Sequence, residues 1–407
     1  MRRADRAGGH AQGKAVAAVA LALALALAAP AAALPQDWPI SWPQTFNWSD
    51  SPVLLDLHQY GGFNDNILNS PPGVQPKASA LSQTGVGATA RLRLGQQAFT
   101  ASATLTATDY LDDPSASLHD RALRLGWDQR LGEPCKGRLA AEASDKQSDF
   151  DQASGPGQDI LRTRKLDDEG RCAVSGPFGA LVGGGASSLR HSTVSAQALD
   201  NDKAYGKLGL DYEGRNRDHA ELFIKLTGLR FPQATGTLSP DSTLTDLQAS
   251  YRRAFSPLWE ARAMIGASAA PTTPGAAPNQ IAVYDAELLW TPSELWRASF
   301  SASRTLNAPI SIVANSQIAQ TLNLSLTWRP TPKLSFTAGL GRLRLENGPT
   351  TPGLYGGTTL NTVSGRAVYQ MTPFTSLTAS FLRGIRSVAA GQTQTTLAMI
   401  GVDFKPY

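Results

Sequence analysis

Period-two alternation, sustained over about ten to thirteen residues at a time, is the feature that most limits how this chain can fold. Val86, Ala88, Ala90, Leu92 and Leu94 alternate with Gly87, Thr89, Arg91 and Arg93. Phe99, Ala101, Ala103, Leu105 and Ala107 alternate with Thr100, Ser102, Thr104 and Thr106. Trp296, Ala298, Phe300 and Ala302 against Arg297, Ser299, Ser301 and Ser303 repeat the pattern, as do Leu322, Leu324, Leu326 and Trp328 against Asn323, Ser325, Thr327 and Arg329. A period of two puts successive side chains on opposite faces of a strand, one dry and one wet. Soluble strands run about five or six residues, whereas tilted strands that cross a bilayer need about 9 to 11. The repeats here have the longer length.

The connections decide between a soluble sandwich and a membrane barrel. Short turns fall at Gly95-Gln96, Gly132 to Pro134, Ser175 to Pro177, Gly214 to Asp218, Phe255 to Leu258, Thr291 to Leu295, Pro330 to Lys333 and Met371 to Phe374. Between them lie longer polar loops near 64–82, 109–119, 148–158, 191–202, 230–242, 270–280, 307–318, 346–360 and 386–392. Short turns on one rim and long loops on the other are the layout of an outer-membrane up-and-down antiparallel β-barrel. Eighteen segments, from 53–62 to 393–404, give the even count that closure requires. The segment 159–173 fits least well. One face carries Arg162, Arg164 and Asp168, and the other Lys165, Asp167 and Glu169. Without it and its partner 135–147 the count is sixteen.

Composition fits that class. The 407 residues include two Cys, which excludes a disulfide-dense scaffold and thiolate zinc sites. A mean hydropathy of -0.20 excludes a polytopic helical membrane protein. Arg2, Arg3, Arg6 and Lys14 precede the apolar run Ala15 to Ala29, and Ala31-Ala32-Ala33 follows, so residues 1–33 read as a secretory signal peptide. Removing its four Lys/Arg and one Asp lowers the formal charge from +4 to +1, which leaves no electrostatic basis for nucleic-acid binding. Residues 34–52, with Trp38, Trp42 and Trp48, read as a periplasmic segment ahead of a barrel over 53–407, either a membrane-interface or plug element or a simple lead-in.

Aromatic residues set the orientation. Tyr251, Trp259, Trp290, Trp296, Trp328, Tyr369 and Phe374 flank successive short turns, as a periplasmic girdle does. The last strand carries Ile400, Val402 and Phe404 in phase, followed by Tyr407, which resembles the C-terminal assembly signal of bacterial outer-membrane proteins. Cys135 and Cys172 bound adjacent segments, and a simple hairpin places them opposite one another at the periplasmic rim. A cross-strand disulfide is expected.

Alternation turns Arg91, Arg93, Arg124, Arg138, Lys207, Asp211, Glu213, Glu221, Lys225, Asp246, Arg252, Glu260, Arg262, Asp285, Glu287, Arg297, Arg329 and Arg366 inward, with many Ser and Thr. Such residues line a hydrated pore or pair across strands in a closed barrel; eighteen strands enclose more space than side chains fill, which favours the pore. His58, His119, His191 and His219 lack metal-ligand spacing, and no catalytic motif is present, so neither metal, cofactor nor enzymatic activity is expected. Ser187, Ser188 and His191 are the residues a rim lipid hydrolase would use. Arg304, Arg342 and Arg344 share the outward parity near the long-loop rim, where they contact lipid phosphate or stand in water. Gly183-Gly184-Gly185 inside a strand relieves crowding or widens the lumen.

After the first strand comes Gly62-Phe63-Asn64-Asp65-Asn66-Ile67-Leu68. This glycine-rich strand end, Asn-Asp-Asn cluster and apolar pair resembles the opening of a family of outer-membrane β-barrel porins found with bacterial exopolysaccharide biosynthesis and export genes. The resemblance implies a general porin or an outer-membrane component of polysaccharide export, with no catalytic residues. The expected partners are outer-membrane lipid and lipopolysaccharide, the barrel-assembly machinery and, through the resemblance, polysaccharide-export components. A non-conducting structural or adhesion barrel, its long loops bound to a surface partner, is the alternative.

Overall fold

The computed structural model describes residues 53–406 except 68–69, 71–72, 131, 133, 148–158, 194–196, 198–199, 215–217, 234–241, 271–278, 308–316, 348–356 and 389–390. The expected signal peptide, the Trp/Pro segment 34–52 and Tyr407 lie outside the described residues. Eighteen strands follow in chain order: β1 (Val53–Asn64), β2 (Ser79–Leu94), β3 (Gln97–Tyr110), β4 (Leu118–Arg130), β5 (Cys135–Gln147), β6 (Ile160–Ser175), β7 (Phe178–His191), β8 (Asn201–Glu213), β9 (His219–Arg230), β10 (Ser242–Ser256), β11 (Trp259–Ala270), β12 (Asn279–Ser293), β13 (Trp296–Asn307), β14 (Gln317–Thr331), β15 (Leu334–Asn347), β16 (Thr358–Gln370), β17 (Thr375–Val388) and β18 (Gly391–Phe404).

Each strand pairs antiparallel with its sequence neighbours, and β1 pairs with β18, so one sheet closes on itself with no free edge. β6 forms over its whole length, which fixes the count at eighteen rather than sixteen. Several strands outrun the expected length, β2 and β6 reaching 16 residues. About ten residues suffice to cross the apolar layer. The surplus continues the ladder toward the long-loop rim, where strand pairing still satisfies the backbone. One connection departs from the expected layout: Val388 pairs with Gly391, so the loop expected at 386–392 is a tight one.

The side-chain parities separate cleanly around most of the wall. One parity exposes Leu208, Leu210, Ile265, Leu340 and Ile400, a continuous apolar band that only a hydrocarbon environment would cover. The other carries the Ser, Thr and charged residues and faces the barrel interior. Near the long-loop rim the connection after β1 folds inward. Ile67 packs against Leu81, Tyr110 and Leu397, all on the inward parity. Asn66 Nδ2 donates to the Gln394 carbonyl at 3.0 Å, and Asp65 exchanges hydrogen bonds with the Thr396 backbone. The Asn64-Asp65-Asn66 cluster therefore ties the first outer connection to the last strand.

Candidate functional site: the charged lumenal wall

The richest polar constellation lies on the inward face of β5 to β10. It is anchored by Arg171 of β6, whose guanidinium meets Glu169 at 2.8 Å, Asp211 at 3.2 Å and Glu221 at 2.5 Å. Asp211 and Glu221 stand directly opposite each other on β8 and β9. Two facing carboxylates repel, and Arg171 between them converts the repulsion into a bridge. Lys207 and Lys225, also directly opposed, are relieved in the same way: Lys207 meets Glu169 at 3.0 Å and Glu221 at 3.5 Å. Lys207 further lies over the Phe223 ring and Lys225 over the Tyr205 ring, at 4.1 and 4.4 Å.

These contacts skip a strand, and glycine makes that possible. Gly183 lies between Glu169 and Lys207, and Gly185 between Asp167 and Tyr205. A side chain on Gly185 would meet the Tyr205 ring and the Asp167 carboxylate. Without one, the Tyr205 hydroxyl donates to Asp167 at 2.8 Å across β7. The glycine run thus serves packing between charges.

The residues expected to face inward from β2 to β17 share this parity, but the structure brings together only some of them. Lys207, Asp211, Glu221 and Lys225 join the network directly, and Glu213 meets Lys136 at 2.7 Å. Arg124 pairs with Glu142 at 3.1 Å, Arg138 approaches Asp128 at 3.7 Å, and Arg252 holds Glu260 at 2.5 Å. Asp246 accepts from Ser268, and Arg262 faces Glu287 across the ladder. Asp285 lies opposite Ser303. Arg91, Arg93, Arg297, Arg329 and Arg366 sit apart, on the arc from β13 round to β3. That arc is otherwise lined by Ser299, Ser301, Ser325, Thr337, Ser364, Ser380 and the threonines of β3. Arg386 also faces inward on this arc, and among the described residues its inward carboxylates are Asp56 and Asp403. The lumen therefore has a charge-matched wall over β4 to β12 and a hydroxyl-rich wall with an excess of arginine.

Sequence reasoning had not picked out Asp167, Glu169, Arg171, Tyr205 or His219 as site residues. A signal existed: Cys172 opposite Cys135 fixes the register of β6 and assigns Arg171, Glu169 and Asp167 to the inner face. Cys135 and Cys172 form a disulfide, with Cα atoms 4.1 Å apart, on the outer face beside the short turns.

The histidines, remote in sequence, meet carboxylates through the strand register. Donor atoms of Asp56, His58 and Asp403 lie within 4.8 Å of one another, as do those of Asp211, His219 and Glu221. Cations already occupy both neighbourhoods, Lys405 at 3.3 Å from Asp56 and Arg171 on the second group. At the outer mouth His191 Nδ1 contacts Asp159 at 2.5 Å, and Ser192 and Thr193 donate backbone N–H bonds to the same carboxylate. Burial alone would raise the Asp159 pKa, but the hydrogen bonds from His191 and Thr193 outweigh it and hold the carboxyl well below the usual range. Ser187 is four residues from His191 along the same strand, roughly 13 Å away at the strand rise, and Ser188 points to the opposite face. The serine–histidine pair of a rim hydrolase is not assembled there.

The aromatic residues sit outward beside the short turns. Trp259 stacks on Trp290 at 5.5 Å, and Trp296 on Trp328 and Trp328 on Phe336 at 5.6 Å. Tyr251, Tyr369 and Phe374 are exposed at the same end. Phe99 stacked on Trp127, and Phe178 against Tyr212, continue the ring on β3, β4, β7 and β8, beyond the strands of the expected girdle. Ile400, Val402 and Phe404 face outward on β18. Arg304, Arg342 and Arg344 also follow the outward parity, Arg344 meeting Glu346 at 2.7 Å.

No family model matches the sequence, and no curated protein matches it. Among solved structures the chain is similar to the siderophore receptor PirA from Pseudomonas aeruginosa, with 10% identity and a TM-score of 0.43 over 88% of this chain and 81% of that one. It is similar to the FrpB iron transporter from Neisseria meningitidis, with 10% identity and a TM-score of 0.44 over 88% and 82%. It is also similar to Pseudomonas aeruginosa OccK2 in complex with glucuronate, with 10% identity and a TM-score of 0.46 over 87% and 97%. These similarities assign this chain neither an activity nor a solute.

Proposed function

We propose that the protein is an outer-membrane channel for hydrophilic solutes, with a preference for anions, and that it acts without catalysis. The observation that carries this reading is the lumen itself. Eighteen strands enclose a space too wide for side chains to fill, and its wall is charged and hydroxyl-bearing while the exterior is apolar. The anion preference follows from the arc from β13 round to β3, where among the described residues Arg91, Arg93, Arg297, Arg329 and Arg366 outnumber Asp56 and Asp403, while the opposite wall is balanced. In this reading the Gly62–Leu68 resemblance makes an acidic exported polysaccharide a solute to try first, and β18 is the strand that the assembly machinery recognises. The inward-folded connection at Ile67 favours a second reading, a non-conducting barrel closed at its outer mouth.

Planar-bilayer recording from the folded mature barrel tests the proposal. Stepwise currents are expected, with a reversal potential displaced toward chloride in a potassium chloride gradient and moved back by Arg91→Gln with Arg366→Gln. Protein that is shown to be folded but passes no current would favour the closed barrel.

A further inference from the structure

The outer wall of β4 to β10 is concave, forming a groove of about 1140 Å³ that is lined chiefly by outward-parity residues. Its upper edge is one hydrogen-bonded row that runs across four strands: Arg164, Ser188, Asp202 and Arg230. The row below it, Leu166, Ala186, Ala204 and Gly228, is the floor, small because three of the four side chains are methyl or absent. Leu123 and Leu125 of β4 wall the groove on one side.

The depth of the basic row follows from strand geometry. Ser188 lies ten residues above Phe178, at the short-turn end of β7. At about 3.3 Å per residue and a tilt near 40°, that is roughly 25 Å, the height of the apolar band of a membrane barrel. The arginines therefore stand at the outer headgroup level, where a cation on the lipid side costs little.

We propose that this groove binds a phosphorylated, multiply acylated lipid of the outer leaflet, lipopolysaccharide in a Gram-negative envelope. Arg164 and Arg230 hold the phosphates, and an acyl chain lies over Ala186, Ala204 and Gly228. Three inter-strand steps of about 4.8 Å put the two arginine backbones roughly 14 Å apart, so both flexible side chains reach one polyanionic headgroup. Both are exposed, and among the described residues neither takes part in an ion pair. Asp202, between them, does not oppose the phosphate because Arg190 neutralises it at 2.6 Å. One row farther out, Arg162 shares Asp145 with Arg121, which adds to the positive excess. A second copy of the chain is the competing cover, since Asp168 lies beneath the floor on the same side. Packing this face on itself would, however, bring the basic row against its own image. The site accounts for β6, whose outer face lacks an apolar pattern because its upper half serves a headgroup. The proposal rests on placement in the outer membrane and not on conduction.

Native mass spectrometry of the full mature barrel in mild detergent, titrated with purified lipid A or its dephosphorylated form, tests this. One tightly held lipid A per barrel is expected. At least tenfold weaker retention is expected for the dephosphorylated lipid, for Arg164→Gln with Arg230→Gln, and for Ala186→Trp, which fills the floor. Arg383→Gln, an outward arginine on β17 away from the groove, should bind as the wild type does. Heat-modifiable gel mobility establishes that each variant is folded, and bilayer current on the same samples reports conduction separately. Equal lipid retention by wild type and the double arginine variant, or wild-type oligomers that Ala186→Trp dissociates, would overturn the proposal.

Discussion

Gly401 of β18 faces Tyr60 of β1 across the seam that closes the barrel, and a Cβ built on it would overlap both the Tyr60 ring and the Gln59 carbonyl oxygen. Tyr60 in turn donates to Asp403, which also accepts from Thr378 at 2.6 Å and Ser376 at 3.4 Å. The first, last and penultimate strands thus converge on one inward carboxylate. Gly401→Ala forces the two seam strands apart, and a cost of about 3 kcal/mol or more is expected, because backbone and not a flexible tip must move. Gly61→Ala, on the outward face of the same seam with open space around it, should cost far less. Refolding yield into detergent, read by heat-modifiable gel mobility, compares the two; equal yields would contradict the seam geometry.

That seam shows what the sequence could and could not disclose. Parity was legible wherever one face is Leu, Phe or Ala and the other Ser or Thr, as on β13 and β14, because lipid on one side and water on the other impose opposite chemistries. β6 was opaque because both faces are charged, for two different reasons: the inner face supplies Glu169 and Arg171 to the network, and the outer face carries Arg162, Arg164 and Asp168. The cluster around His58 was invisible for another reason. Asp403 is 345 positions from His58, and only the register of β1 on β18 makes them neighbours. Likewise Asn66 was noticed as part of a motif, while its partner Gln394 carries no local mark.

The disulfide between Cys135 and Cys172 lies on the outer face at the short-turn end, away from the lumen. It closes a loop with a sequence separation of 37, for which chain-entropy arguments give about 4 kcal/mol. Cys135→Ser with Cys172→Ser should lower stability by about 2–4 kcal/mol, read as an earlier urea midpoint, and leave single-channel conductance unchanged. Intact mass after thiol labelling checks the bond first: two labelled cysteines in protein taken from membranes would contradict it.

Asp159 at the outer mouth links acid to stability. Its carboxyl is held below the usual carboxylate range in the folded barrel, so its contribution is complete above the unfolded value near 3.8 and fades as pH falls further. Asp159→Asn should therefore cost about 1–3 kcal/mol at pH 7, and the gap between variant and wild type should narrow with each unit below about pH 4. Urea midpoints at pH 7 and about pH 2 measure it. An undiminished gap in acid would assign the loss to packing.

Arg171 offers a test of the lumenal network that does not depend on the lipid site. Its side chain is 24% exposed, while Asp211 and Glu221 are 7% and 10% exposed, so its loss leaves two shielded, directly opposed carboxylates without the cation that separates them. Arg171→Met keeps the unbranched apolar stem of the side chain and removes the guanidinium and its charge. A loss of about 2 kcal/mol is expected, below that of a fully buried pair because the lumen is wet. Adding Glu221→Gln removes one of the repelling charges and should recover part of that loss, so the two substitutions combine to less than their sum. In bilayers the single variant should shift the reversal potential toward cations, and the double variant should shift it back. Strictly additive urea midpoints, with no change in reversal potential, would mean that Arg171 neither holds the carboxylates together nor shapes the field of the pore.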